Sequence, residues 1–270
     1  MTALVFIFIF FLGTIIGSFL NVVIYRFNTG KTIVYGRSIC MTCNRNLRWY
    51  ELIPIFSFLI QSGRCRRCAS NISNQYPLVE FGTGLIFALI AFHFLPFASF
   101  SMSSYLALVI LFVFIFSLLM VISVYDVRHK VIPDDLVYIY AFVSFLSIFI
   151  NHASVGPLFV TPSLMSIVSG PLFALPFALI WMLSRGRAMG LGDAKLMLGI
   201  GWMLGPLAAL ASVILSFWIG SVASLTMMLF SHKKMNMMTQ IPFAPFLIIG
   251  ALITLLFNLD IFKLSSLFHF

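Results

Sequence analysis

Leu106-Ala107-Leu108-Val109-Ile110-Leu111-Phe112-Val113-Phe114-Ile115-Phe116-Ser117-Leu118-Leu119-Met120-Val121-Ile122-Ser123-Val124-Tyr125-Asp126 is an uncharged run closed by an acid. The uncharged run from Leu106 to Tyr125 matches the roughly 20 apolar residues a helix needs to cross a bilayer core. It ends on a carboxylate, and an ionisable group at membrane depth is a functional-site candidate by default. The residues that follow, Val127-Arg128-His129-Lys130-Val131-Ile132-Pro133-Asp134, are rich in basic side chains.

The same reading extends to the whole chain. Of its 270 residues, 61% are hydrophobic and 9% charged, against about 45–50% apolar and 25% charged in soluble domains. This is the composition of an all-α polytopic membrane protein. About eight transmembrane helices are expected, at roughly 3–25, 78–97, 104–125, 135–152, 164–184, 194–205, 206–230 and 243–260. The sixth is short for a span, so it is tilted, half-embedded or merged with its neighbour. Gly205-Pro206 separates it from the seventh, because proline cannot donate a backbone hydrogen bond and glycine ends helices. The first run lacks a basic segment ahead of it and has Arg26 behind it, so it reads as a retained span, with Gly13, Gly17 and Ser18 as a small-residue packing face.

Lys and Arg gather in cytoplasmic loops. With eight spans, fifteen of the sixteen basic residues fall on one side, and only Lys263 lies opposite. The loops at 98–103 and 153–163 contain no Lys, Arg, Asp or Glu. Both termini are therefore expected outside and Asp126 at the cytoplasmic face. The net charge of +9 belongs to topology and to anionic headgroups, with membrane lipids and no nucleic acid as partners.

A second carboxylate stands at another span mouth in Met189-Gly190-Leu191-Gly192-Asp193-Ala194-Lys195. Taken alone, Asp193 reads as a helix N-cap, and Asp126 as a juxtamembrane residue beside Arg128 and Lys130. Together they suggest an acid–base dyad, with Gly190 and Gly192 letting an extended peptide backbone approach. A transporter using the same two carboxylates, or a scaffold without chemistry, are the competing classes. The transporter would show broken helices in symmetric halves, and no internal repeat is seen.

Residues 26–77 form the one long polar stretch and hold all four cysteines, Cys40 and Cys43, then Cys65 and Cys68. Two C-x₂-C pairs at this separation read as a structural Cys₄ zinc site, and a cytosolic location disfavours the alternative, disulfides. Between them, the apolar segment from Leu47 to Leu59 is expected to lie on the membrane surface, with Trp49 and Tyr50 at headgroup level. Asn21 reads as interhelical glue or part of a polar site. Glu80, ahead of Gly82 and Gly84, reads as a helix-dipole partner. His93, His129, His152, His232 and His269 show no ligand spacing, and His129 beside Asp126 could tune the dyad or face headgroups.

Gly190 to Leu196 resembles the GxGD signature of intramembrane aspartyl proteases, in the form found in type IV prepilin peptidases. Asp126 with Ile132-Pro133-Asp134 resembles that family's first-aspartate motif. Gly17 to Arg26, the cysteine loop, Trp49 to Pro54, Tyr76 to Glu80 and Ile241 to Phe246 follow in family order. Met41 departs from it, standing where proline is common. The resemblance implies a bacterial inner-membrane enzyme that cuts the basic leader from prepilins or pseudopilins after glycine, with Asp126 and Asp193 catalytic and Gly190, Gly192, Lys195, Pro133 and Asp134 in support. It also implies N-methylation of the new terminus from S-adenosylmethionine by the N-terminal region, with Glu80, Gly84 and Asn21 as candidates. No G-x-G-x-x-G follows a strand, so this would not be a Rossmann methyltransferase. The expected organisation is a first helix at 1–25, a zinc loop at 26–77 and a peptidase region at 78–270.

Overall fold

The structure is a computed structural model that describes residues 2–150, 158–230 and 242–266. His152, Lys233, Lys234, His232, His269 and Ile241 lie outside those residues. Ten helices are described: α1 (Thr2–Arg26), α2 (Phe56–Ile60), α3 (Gln75–His93), α4 (Met102–His129), α5 (Asp134–Ser147), α6 (Leu164–Ser184), α7 (Leu191–Leu204), α8 (Pro206–Phe230), α9 (Ala244–Leu256) and α10 (Ile261–Ser266). Each of the eight expected segments falls on one of them. By length and composition, α1, α3, α4, α6 and α8 can cross a membrane. The 14 residues of α5 and of α7 and the 13 of α9 would rise only about 20 Å at 1.5 Å per residue, against a core of about 30 Å.

Two compact units are formed, one by Met1–Leu95 with Phe112–Val121, the other by Pro96–Leu111 with Ile122–Phe270. In the first, α1 packs along α3 through small residues. A Cβ on Gly13 would stand 2.7 Å from the Gly84 Cα, and one on Gly17 would stand 2.8 Å from the Glu80 Cα. Backbones approach this closely only where side chains are missing, which is how helices associate without a hydrophobic driving force.

In the second unit, α7 is the central piece, packed against α5 and α6. Its glycines admit neighbouring side chains: Gly199 accepts the ring of buried Tyr140, and Gly201 lies against the Ser169 carbonyl and Gly170. Pro171 has no N–H, which leaves the Ile167 carbonyl without its helical partner. Trp202 on α7 fills that vacancy, its Nε1 donating to Ile167 O at 2.8 Å. Gly205, at φ 76°, ends α7, and Pro206 opens α8, so the expected split occurs at this pair. Ser212, Ser216 and Gly220 of α8 form the seam that receives Gly250 and Phe246 of α9.

Candidate active site

Asp126 sits in the last turn of α4, 6% exposed. The helix ends at Lys130, which adopts the left-handed conformation (φ 55°) and donates its N–H to Asp126 O at 2.7 Å. Asp193 is 8% exposed and lies in the first turn of α7. The helix begins at Leu191 with Gly190 as N-cap, so Asp193 is the third helical residue and does not cap it. Its carboxylate instead turns back toward the N–H of Gly190, which is half of a capping box.

The two carboxyl groups lie close enough to interact electrostatically. Asp126 faces the backbone N–H of Ala244, the first residue of α9, which Pro245 follows. The first N–H groups of a helix have no partner within it, so each carboxylate of the pair meets a donor from a helix start. The sequence flagged Pro242-Phe243-Ala244-Pro245 without assigning it a role, and this contact supplies one.

The two glycines differ. A Cβ on Gly190 would find ordinary contact, 3.8 Å from Asp193 Oδ2, whereas one on Gly192 would stand 2.7 Å from the Ile132 Cβ. Gly192 is therefore required by the loop that leaves α4, whereas a side chain at Gly190 would fit without displacing a neighbour. Pro133, buried, caps α5. Asp134, in its first turn, accepts from Lys195 Nζ at 2.6 Å, and the same ammonium lies 4.8 Å from the Tyr138 ring centre. Asp134 is largely exposed, so the pair adds little stability, about 0–1 kcal/mol; its effect is to tie the start of α7 to the start of α5 and close the Ile132 loop over Gly192. His129 places Nδ1 3.2 Å from the Tyr125 carbonyl of its own helix. Tyr138 is not singled out by the sequence, and the motifs that hold Ile132 and Ala244 give no hint of their partners, because only residues distant in sequence give these side chains and N–H groups their roles.

Cys40, Cys43, Cys65 and Cys68 converge, their sulfurs all within 4.8 Å of one another. They sit on two matching knuckles. In the first, Cys40 N donates to Arg45 O and Asn44 N to Cys40 O; in the second, Cys65 N donates to Ser70 O and Ala69 N to Cys65 O. Asn44 and Ala69 close the two turns at φ 51° and 54°. The backbone N–H groups of Cys43 and Thr42 pull the Cys40 thiol down to about 6. Four thiols so placed could hold a metal ion. Arg45 braces the module by pairing with buried Glu51 at 2.6 Å.

Asn21, Glu80 and Gly84 all lie on the α1–α3 seam. Asn21 Nδ2 donates to Gly17 O at 3.3 Å and Tyr76 O at 3.2 Å, and its Oδ1 accepts from Gln75 at 3.4 Å. Glu80 Oε2 accepts the Ile55 N–H at 2.7 Å, and its carboxylate also meets the Ser18 hydroxyl. A Cβ on Gly84 would meet Thr14 Cγ2 at 2.8 Å and Phe10 O at 2.9 Å.

Fold and site together define an all-helical membrane protein whose helix ends hold two buried carboxylates within reach of one another. Two family profiles match in succession, the Bacterial Peptidase A24 N-terminal domain over residues 11–94 and the Type IV leader peptidase family over residues 113–225. The chain belongs to the type IV leader peptidase family. It is 32% identical to the Prepilin leader peptidase/N-methyltransferase of Stutzerimonas stutzeri, over 92% of this chain and 89% of that protein. It is 31% identical to the protein of that name from Bacillus subtilis (strain 168), over 93% of each. The Type 4 prepilin-like proteins leader peptide-processing enzyme of Escherichia coli O78:H11 is 30% identical over 90% of each. No solved structure matches the chain.

Proposed function

We propose that this enzyme cuts the leader from type IV prepilins or pseudopilins and then N-methylates the exposed residue, with Asp126 and Asp193 as the peptidase dyad. Family membership and the relatives' names support the two activities. The observation that carries the mechanism is the approach of Asp126 and Asp193, distant in sequence, each buried and each facing an N–H at a helix start.

Neighbouring carboxylates do not both carry charge cheaply, so the pair would hold one proton between them. The ionised member takes a proton from water, whose oxygen adds to the scissile carbonyl carbon, while the protonated member hydrogen-bonds the carbonyl oxygen. Collapse breaks the C–N bond, and the amine leaves with the proton. The Gly190 and Ala244 N–H groups would hold the carboxylates in place through these transfers.

The eight-span arrangement, with basic loops in the cytoplasm, would put this chemistry at the cytoplasmic face of a bacterial inner membrane. On that topology 1–25 is the first span, 26–77 the zinc loop and 78–270 the peptidase region. The cysteine module would bind structural zinc: tetrahedral Zn–S bonds of about 2.3 Å separate sulfurs by about 3.8 Å, and Cys40 and Cys68 Sγ stand 3.8 Å apart. S-adenosylmethionine, when bound, supplies an electrophilic methyl group. Asn21, Glu80 and Gly84, which meet along the α1–α3 seam through packing and backbone contacts, are the candidate residues of the methyl-transfer region.

The test is to incubate purified protein, with and without S-adenosylmethionine, with a peptide carrying a basic leader, a Gly-Phe junction and an apolar helix. Product masses should show cleavage after glycine and, with the donor, one added methyl. An uncut peptide would remove the proposal.

A further inference from the structure

The segment Leu52-Ile53-Pro54-Ile55-Phe56-Ser57-Phe58-Leu59-Ile60 carries no charge and is bracketed by Arg48 and Glu51 on one side and Gln61 and Arg64 on the other. The sequence reading laid it on the membrane surface. Its contacts lie well along α1 from the helix's basic end. Phe56 stacks against Phe11, ring centres 6.3 Å apart, and Phe11 precedes the basic end of α1 at Arg26 by fifteen residues, about 22 Å of helix. Ile55 N donates to Glu80, whose backbone lies against Gly17, nine residues and about 14 Å from the same end. The Arg26 guanidinium marks that end, donating to the carbonyls of Thr32, Tyr35 and Arg37.

Non-helical backbone at membrane depth persists only where protein or enclosed water satisfies its polar groups. Here that need is acute, because Ile55 has φ 61°, a conformation costly for a β-branched residue, and its N–H points away from any helix of its own. Glu80 satisfies it. Leu52, Ile53, Phe56, Leu59 and Ile60 are exposed, as are Phe8, Phe11, Leu12 and Ile15 of α1, which Phe56 meets through its stack on Phe11.

We propose that residues 52–60 are a re-entrant segment whose exposed face meets lipid acyl chains, and that Glu80 is the positioning residue that holds its Pro54–Ile55 turn in the bilayer. This gives Glu80 work that needs an acceptor and no negative charge. A role in methyl transfer through electrostatic attraction to a sulfonium would need the charge.

A fluorescent aromatic amino acid incorporated at Phe56 tests the depth in proteoliposomes, with the same probe at exposed Tyr35 as the interfacial reference. The Phe56 probe should lose most of its emission in phosphatidylcholine brominated on the acyl chains and little to aqueous iodide, and the Tyr35 probe should show the reverse. Glu80→Gln keeps an oxygen for the Ile55 N–H and should leave the pattern unchanged, whereas Glu80→Leu should shift the Phe56 probe toward iodide. Iodide quenching at Phe56 in the unsubstituted chain overturns the re-entrant placement. A Glu80→Gln variant that shifts the probe as Glu80→Leu does overturns the anchoring role. The depth measurement in the unsubstituted chain stands even if Glu80→Leu fails to fold, and none of these readouts depends on peptidase or methyl-transfer activity.

Discussion

Gly192→Ala should disable the peptidase without unfolding it, by an amount the packing allows to be worked out. The new Cβ would stand 2.7 Å from Ile132 Cβ, 3.0 Å from its Cδ1 and 3.2 Å from its Cγ1. Carbon pairs rest at about 3.5–4.0 Å. Rotation about χ1 can move the outer carbons away but not the Cβ, which is fixed to the backbone. The Ile132 backbone must therefore retreat by about 0.8–1.3 Å. It lies six residues after Asp126, before buried Pro133 and before Asp134, which is paired to Lys195, so the shift is transmitted to the end of α4. Overpacking of this kind destabilises by about 1–3 kcal/mol, and a displacement of about 1 Å at a reacting group lowers rate about 10²-fold. The expected result is a fall in kcat for leader cleavage of about 100-fold, with KM near that of the unsubstituted enzyme and helix content and membrane insertion unchanged. Adding Ile132→Gly, which deletes the clashing Cβ, should recover at least about tenfold, and Ile132→Ala, which keeps it, should recover little. Steady-state cleavage assays on the three variants decide it. Full activity in Gly192→Ala, or equal rescue by Ile132→Ala, would refute the close-approach argument.

Metal analysis should give one zinc per chain, and Cys→Ser at 40, 43, 65 or 68 should loosen the 26–77 loop to limited proteolysis; finding none would reject the zinc assignment. In zinc-stripped protein Cys40 should be the first thiol alkylated at pH 7. Its folded-state value is lowered from 9.0 to about 6, so the stabilising contacts of its thiolate are fully present above 9.0 and are lost as pH falls through about 6; equal alkylation rates at all four thiols would contradict this. Trp202→Phe leaves the Ile167 carbonyl without a donor and should lower stability in detergent by about 1–3 kcal/mol, with Pro171→Ala, which restores an N–H, recovering part of it; thermal unfolding reads both. Gly84→Val forces α1 from α3 against Thr14 and the Phe10 carbonyl, and should reduce methylation in the peptide assay while leaving cleavage largely intact; equal loss of both would argue against separable activities.

The helices were legible because uncharged runs of spanning length and Gly-Pro punctuation are local signals, as at Leu106–Tyr125 and Gly205-Pro206. The start of α7 was less so. Asp193 has the chemistry of a cap, but in the fold Gly190 takes that position and Leu191-Gly192 already form helix. The cysteine module could be read from spacing, because two identical knuckles impose the same short-range hydrogen bonds twice. The remaining contacts depend on residues brought together from far apart. Nothing in the local sequence pairs Gly192 with Ile132, Trp202 with Ile167, Ala244 with Asp126 or Ile55 with Glu80, and a run such as Leu52–Ile60 looks the same on a membrane surface as within it.

Asn substitution isolates the proton chemistry of the carboxylate pair, because Asn matches Asp in size and in capping ability but cannot exchange a proton. Asp126→Asn and Asp193→Asn should each abolish leader cleavage of the Gly-Phe peptide by purified protein, with expression and membrane insertion near those of the unsubstituted chain and with Asp134→Asn and Asp135→Asn milder. The unsubstituted enzyme should show a bell-shaped pH profile, whose limbs belong to the pair as a whole. Cleavage at the unsubstituted rate by either purified Asn variant would contradict the dyad and leave Asp193 a residue that only braces the first turn of α7.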